Sequence, residues 1–457
     1  MLKAYFKTIL FLMVIIPPLA GFSSPPREVL IRQDSFFGGP YSITDHPYLI
    51  RGKVAYTGQD QFQSVFMHYQ VDEGEIQTTF FEEINLYPQI PFYYQAEQPW
   101  LPDETGVYSI KVWFSGFNGA PDEEAFSDTL RREIHIYEHL PTRQMALLES
   151  FSSINCGSCA LVAPDLLEIV ENNPEQYTMI YYHPLQYEGS PLFAFNPKDQ
   201  TTRKELYGVN YTPVAAIGST FFGGSFEVSH ELMALEMDKF AGYTMEGSYY
   251  ILNDILYASV SLEAFADFSE NNPNTLLIAI TEDLVSFNSP PGSNGEKDFH
   301  HVMRSFLPDA NGSFLTGIQA GDHRQFAFEY DLSAGAIDTS RIRVLAFIQD
   351  LEGKEIHQLI RLEFQPQDNT LVNSFEVLEG KVYPNPSSGR MQLSLQTGAS
   401  PVAMSVHSLD GSLVYRQTFE ASTGILNLNL SHLPSGIYLL QAATEKALFR
   451  KKISIIR

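Results

Sequence analysis

The chain has 457 residues, 44% of them hydrophobic, with 29 Lys and Arg against 54 Asp and Glu, a net charge of −25. That length holds about three or four domains, the apolar fraction excludes wholesale disorder, and the acidity excludes phosphate-backbone binding, which needs excess positive charge. The two cysteines, Cys156 and Cys159, are too few to staple several domains, so each core must hold by burial.

The N-terminus carries Lys3 and Lys7, then an apolar run from Thr8 to Ala20 that contains Pro17-Pro18. Basic residues before a short apolar run and small residues predict a signal peptide over 1–23. The run is short for a membrane span, and no cysteine follows it to take a lipid anchor. No later stretch is apolar enough to span a bilayer.

Residues 24–143 predict a β-sandwich. Val65, Met67, Tyr69 and Val71 alternate with mostly polar neighbours, as do Tyr108, Ile110, Val112 and Phe114, which is the period of a half-buried strand. The aromatic residues Tyr87, Phe92, Tyr93, Tyr94 and Trp100 are a candidate stacking surface; core packing is the competing reading.

Residues 144–244 change to an α/β pattern. The apolar strand Met145–Phe151 leads to Cys156-Gly157-Ser158-Cys159, and a helix follows with Val162, Leu166, Ile169 and Val170 on one face. Cys156 then stands at a helix N-terminus, where free N–H groups and the macrodipole favour a thiolate. Cys159, one turn on, is placed to resolve a mixed disulfide. Downstream, Thr212-Pro213 opens another apolar strand. An X-Pro bond is open to the cis form there and could present backbone to a substrate beside Cys156; an ordinary trans proline is the alternative.

Residues 245–365 return to strands, including the buried runs Leu276–Ile280 and Val344–Ile348, and predict a second β-sandwich. His300-His301 does not suggest a metal site, because neighbours on a strand point to opposite faces. Neither a metal nor a cofactor is expected. A polar linker over 366–375 precedes a final all-β module over 376–457.

That module contains Tyr383-Pro384-Asn385-Pro386, a turn at His407-Ser408-Leu409-Asp410-Gly411, Gly436-Ile437-Tyr438 and a basic Lys451-Lys452 end. It resembles the type A C-terminal sorting domain of the type IX secretion system of Bacteroidetes. The resemblance implies export across both membranes, engagement of the secretion machinery and a secreted or outer-membrane-associated destination.

The segment 144–244 resembles the thioredoxin superfamily, on Cys-Gly-Ser-Cys, a helix proline at Pro164, and Tyr207-Gly208-Val209-Asn210-Tyr211-Thr212-Pro213. The larger layout looks like an outer-membrane-protein-related family of Bacteroidetes that joins such a unit to β-domains. The resemblance implies a thioredoxin-like α/β domain flanked by immunoglobulin-like β-sandwiches. It implies Cys156 and Cys159 as the exchanging pair, with Thr212 and Pro213 positioning substrate.

Three departures stand out. Asn155 replaces the family's tryptophan, Ser150 falls where its proton-shuttling aspartate would, and Leu185–Pro197 looks like an insertion that could form a lid or docking surface. Glu149 and His183 are the candidate proton relays, although Glu149 should face the other side of its strand, and a structural histidine is the competing reading of His183. Two functions remain open. One is an exported thiol–disulfide oxidoreductase acting on extracytoplasmic protein thiols or disulfides. The other is a non-catalytic surface binding or adhesion protein in which the C-x-x-C disulfide is static.

Overall fold

A computed structural model describes residues 27–30, 36–56, 61–84, 87, 90–119, 125–184, 189–267, 274–333, 337–366, 376–377, 380–395, 402–408, 413–419, 424–443 and 447–456. The expected signal peptide, the linker apart from residue 366, residues 185–188 of the expected insertion and residues 409–411 of the sorting-domain turn lie outside the described residues.

The N-terminal strands are β1 (Arg27–Leu30), β2 (Tyr41–Ile43), β3 (Arg51–Tyr56), β4 (Val65–Val71), β5 (Gln77–Phe81), β6 (Pro91–Gln95), β7 (Gly106–Ser115), β8 (Ala125–Ser127) and β9 (Leu130–Tyr137). They form two sheets, ordered β6-β3-β1-β8 and β2-β9-β7-β4-β5. The sheets close over Val54, Tyr56, Phe62, Met67, Tyr94, Val112 and Phe114. The period-2 alternation puts one face of each strand inside and leaves the other in water. The aromatic candidates scatter: Tyr94 packs edge-on against Phe114, Phe92 against Phe81, and Trp100 against Tyr108.

Next come β10 (Ala146–Phe151), α1 (Gly157–Glu171), β11 (Tyr177–Tyr182), α2 (Pro191–Ala194), α3 (Pro197–Tyr207), β12 (Val214–Ile217), β13 (Phe221–Gly224), α4 (His230–Met237), β14 (Tyr243–Leu252) and β15 (Ile255–Ala264). They are followed by β16 (Asn274–Ser286), β17 (Asp298–Leu307), β18 (Ser313–Leu315), β19 (His323–Asp331), β20 (Ile342–Gln349), β21 (Ile356–Arg361) and β22 (Glu363–Phe364).

The chain is not an α/β domain of thioredoxin type set between separate sandwiches. Strands dominate, with four α-helices among the described residues. The strands beside the cysteines belong to a nine-stranded sheet, β13-β12-β10-β11-β17-β16-β20-β21 with β18 paired to β16. Five of its strands come from beyond residue 244.

The physical reason is edge coverage and shared burial. β11 would present an open edge, and β17 pairs with it in parallel at Tyr181↔Val302. β16 and β20 are buried on both faces. Leu276, Ile278, Val344 and Ala346 point into a core with β14, β15 and β19. Leu277, Ala279, Leu345 and Phe347 point into a second core with Leu147, Phe151, Tyr182 and Val214. A strand covered on both sides reads as a continuous apolar run, and such a run does not reveal which partners cover it.

A buried charge network joins the first sandwich to this body. Arg143 pairs with Glu236 and Glu355, and Lys239 lies 2.9 Å from Glu236 and 3.2 Å from Glu355. Burial pulls the Lys239 ammonium down to about 7 even though Glu355 opposes the shift. Tyr41 from β2 packs at a tilt against His357 of β21, with ring centres 5.6 Å apart.

The C-terminal strands are β23 (Glu376–Val377), β24 (Gly380–Tyr383), β25 (Arg390–Leu395), β26 (Val402–Ser408), β27 (Leu413–Phe419), β28 (Gly424–Asn429), β29 (Gly436–Ala443) and β30 (Ala447–Ile455). They form two sheets, β23-β30-β29-β26-β27 and β24-β25-β28, around Leu393, Met404, Val406, Leu440 and Ile453. No helix among the described residues is long and apolar enough to cross a membrane.

Candidate functional site

Cys156 and Cys159 form a disulfide at the start of α1. Cys156 is the N-cap residue, and its Sγ accepts from the Cys159 amide at 3.1 Å. The Ser158 hydroxyl lies 3.4 Å away. Cys156 is half-buried, whereas Cys159 is fully buried. The Thr212-Pro213 peptide is cis. Val214 pairs with Phe151 across β12 and β10, which sets Thr212-Pro213 alongside the segment that leads into Cys156.

The two candidate proton relays lie elsewhere. Ala146 and Leu148 of β10 pack against Val162 and Leu166 of α1. Strand alternation therefore turns Glu149 to the opposite face. There its Oε1 accepts from Arg203 Nε and Nη2 at 3.0 and 2.5 Å and from the Tyr182 hydroxyl at 2.8 Å. Its Oε2 accepts from Tyr207 at 2.5 Å. Burial works against the Arg203 charge, but Glu149, Tyr182 and Tyr207 hold its guanidinium above the usual arginine range. Glu149 is thus the anchor of a buried ion pair between β10 and α3.

His183 is buried, edge-on to Tyr181 at 4.9 Å and Phe299 at 5.4 Å, with no hydrogen-bond partner for either ring nitrogen among the described residues. Burial depresses it to about 3. It stays neutral at physiological pH.

A clamp that no local sequence pattern marks holds the segment before Cys156. The loop between β16 and β17 lies over the approach to Cys156. Asn155 Oδ1 accepts from the Ser293 amide at 2.9 Å and its hydroxyl at 3.2 Å. The Asn294 amide donates to the Ile154 carbonyl at 3.1 Å, and its side chain donates to the Ser153 carbonyl at 3.3 Å. Gly292 packs so tightly that a Cβ would come 2.2 Å from that same Ile154 oxygen. The only sequence signal was Asn155 itself, a short polar residue directly before Cys156.

Three exposed apolar side chains lie on the segments that carry the disulfide and the cis-proline. Leu161, Tyr211 and Phe226 are 73%, 61% and 61% exposed, more than any other large hydrophobic side chain described. Leu161 stands on the outer face of α1. Tyr211 lies two residues before Pro213. Phe226 follows Ser225, whose amide donates to the Pro213 carbonyl at 3.4 Å.

At the other end of the chain the sorting-motif residues converge. The Tyr383-Pro384 and Asn385-Pro386 peptides are both cis. Asn385 pins the opening to the last strand: its Nδ2 donates to the Lys452 carbonyl at 2.9 Å and its Oδ1 accepts from the Ser454 amide at 2.8 Å. Gly436 pairs with Ile455, and Leu440 pairs with Lys451. The Tyr438 hydroxyl closes the preceding turn on the Pro434 carbonyl at 2.9 Å.

Residues 381–456 match the family described as a secretion system C-terminal sorting domain. No curated protein matches the chain. Among solved structures, HBP35 of Porphyromonas gingivalis is similar at 16% identity and TM-score 0.43, over 70% of this chain and 100% of that one. Protein AGR_C_4864 of Agrobacterium tumefaciens is similar at 15% identity and TM-score 0.34, over 48% and 93%. A domain of the outer membrane lipoprotein Omp28 of Porphyromonas gingivalis is similar at 13% identity and TM-score 0.21, over 28% and 92%. Likenesses this distant carry no argument about what the chain does. The sorting domain does: the protein carries a type IX secretion signal at its C-terminus and is secreted or displayed on the cell surface of a Bacteroidetes-type bacterium.

Proposed function

We propose that the protein is a non-catalytic surface binding or adhesion protein whose Cys156–Cys159 disulfide is a local staple. The observation that carries this reading is the exposure of Leu161, Tyr211 and Phe226 on the segments that bear the closed disulfide and the cis-proline. Large apolar side chains left this exposed on neighbouring segments are where a protein or polymer partner would be held.

Three further features support it. The loop before Cys156 is clamped through Asn155, Ser293 and Asn294. Glu149 is committed to Arg203 on the far face of β10, and His183 is held neutral in an aromatic cage. Neither is arranged to move a proton at sulfur. A staple across so short a loop contributes only about 2 kcal/mol in the chain-entropy picture, which is enough to fix the turn that opens α1.

Thiol–disulfide exchange is the competing reading, and the half-buried Cys156 sulfur at a helix N-terminus favours it. Cys159→Ser protein separates the two. Under the binding reading it forms no mixed disulfides with surface proteins, and the wild-type pair has a reduction potential below about −300 mV. Trapped partners together with a potential near those of exchange catalysts would reject it.

A further inference from the structure

The sorting domain and the rest of the chain differ sharply in charge. Residues 376–457 contain eight Lys and Arg against five Asp and Glu, which leaves 21 against 49 in the first 375 residues. Such an imbalance favours contact between the two parts at low ionic strength.

The contact is built on one rung of the sheet β19-β15-β14-β22. Tyr250 of β14 pairs with Tyr257 of β15, and Tyr257 pairs with Glu329 of β19. The buried neighbours Tyr249, Leu256 and Phe328 point into the core, so alternation turns Tyr250, Tyr257 and Glu329 outward together. The two tyrosine rings stack at 4.9 Å. Arg450 of β30 is seated on this rung. Its Nη1 lies 3.1 Å from Glu329 Oε1, its guanidinium carbon lies 5.8 Å from the Tyr257 ring centre, and its charge opposes the burial that raises the Tyr250 hydroxyl. A cleft of about 700 Å³ runs beside it between the sheet and the sorting domain, lined in part by Tyr257, Glu329 and Lys452.

We propose that Tyr250, Tyr257 and Glu329 form a guanidinium-binding site. Arg450 occupies it in the full-length chain, and it opens to an arginine-bearing segment of a partner protein when the sorting domain is displaced from it. A carboxylate beside a stacked aromatic pair selects the planar, weakly hydrated guanidinium over a lysine ammonium. The inference goes beyond the binding reading above, because it stands whether or not the cysteines exchange.

The test uses the full-length protein with a protease site placed in the 367–370 segment, cut after folding. At about 0.05 M salt the two pieces should co-elute on size exclusion, and at about 0.5 M they should separate. Glu329→Gln, Tyr257→Ala and Arg450→Ala should each weaken association about threefold, the effect of an exposed pair worth under about 1 kcal/mol, and the loss of the exposed Glu329 or Arg450 side chain does not threaten folding. Hexa-arginine should displace the sorting domain at concentrations about tenfold below hexa-lysine, and Glu329→Gln should abolish that preference. Pieces that separate equally at both salts, or an arginine preference that survives Glu329→Gln and Tyr257→Ala, would overturn the proposal.

Discussion

Glu149→Gln is the sharpest test of how the site is built. Glu149 and Arg203 are both fully buried, and Glu149 accepts four hydrogen bonds from Arg203, Tyr182 and Tyr207. The amide keeps the shape but removes the negative charge. It also turns one acceptor into a donor that faces a tyrosine hydroxyl. The buried guanidinium is then uncompensated, and breaking a buried pair this way costs about 3–5 kcal/mol. For a cooperative unit of roughly 200 residues, that lowers Tm by roughly 10 °C.

Calorimetry or near-UV circular dichroism under oxidising conditions reads the shift. Glu149→Leu combined with Arg203→Met should recover part of the loss, because no charge is then stranded. The rate at which a small thiol reduces Cys156–Cys159 should stay within about twofold of wild type, since Glu149 faces away from α1. A Tm change under about 2 °C, or a reduction rate that moves tenfold with Tm unchanged, would refute the assignment and restore Glu149 as a relay.

Other outcomes follow from the same geometry. His183 sits near 3 in the folded protein against 6.5 for the free group. The unfolded chain takes up the proton first, so its contribution is complete above about pH 6.5 and is lost as pH falls toward 3. His183→Phe should therefore flatten the acid limb of stability by about 1.4 kcal/mol per pH unit between pH 4 and 6, and an unchanged slope in urea titrations would contradict the burial argument. Asn155→Ala removes the acceptor for two Ser293 donors. At about 1 kcal/mol each, reduction of the disulfide by a phosphine should accelerate several-fold, and an unaltered rate would mean the clamp does not govern access. Asn385→Ala breaks both bonds to the last strand. Hydrogen exchange at the Ser454 amide should speed up by about tenfold, corresponding to roughly 1–2 kcal/mol of local stability, and export should fall; full protection in the variant would show that the pin is redundant.

Much was legible in the sequence. Tyr383 to Pro386, Gly436-Ile437-Tyr438 and the basic end are local signals, because turn chemistry and strand alternation act over a few residues. They identified the sorting domain and with it the destination of the protein. The period of 3.6 after Cys156 likewise put that cysteine at a helix start, and the apolar runs at 276–280 and 344–348 showed strands with no face in water.

Tertiary structure alone decided what those strands cover. Leu276 and Leu277 look alike in a list of residues, yet they enter different cores, because alternation fixes sides but not neighbours. The same limit hid the Asn155–Ser293 clamp, which joins residues 138 positions apart, and the diversion of Glu149 to Arg203, 54 positions away. It also hid the rung of Tyr250, Tyr257 and Glu329, which exists only through strand register. Residue type and spacing set what each segment is able to do. Pairing across the sheet, driven by coverage of open edges and shared apolar faces, chose which segments meet, and so turned an expected α/β domain into part of a larger β-rich body.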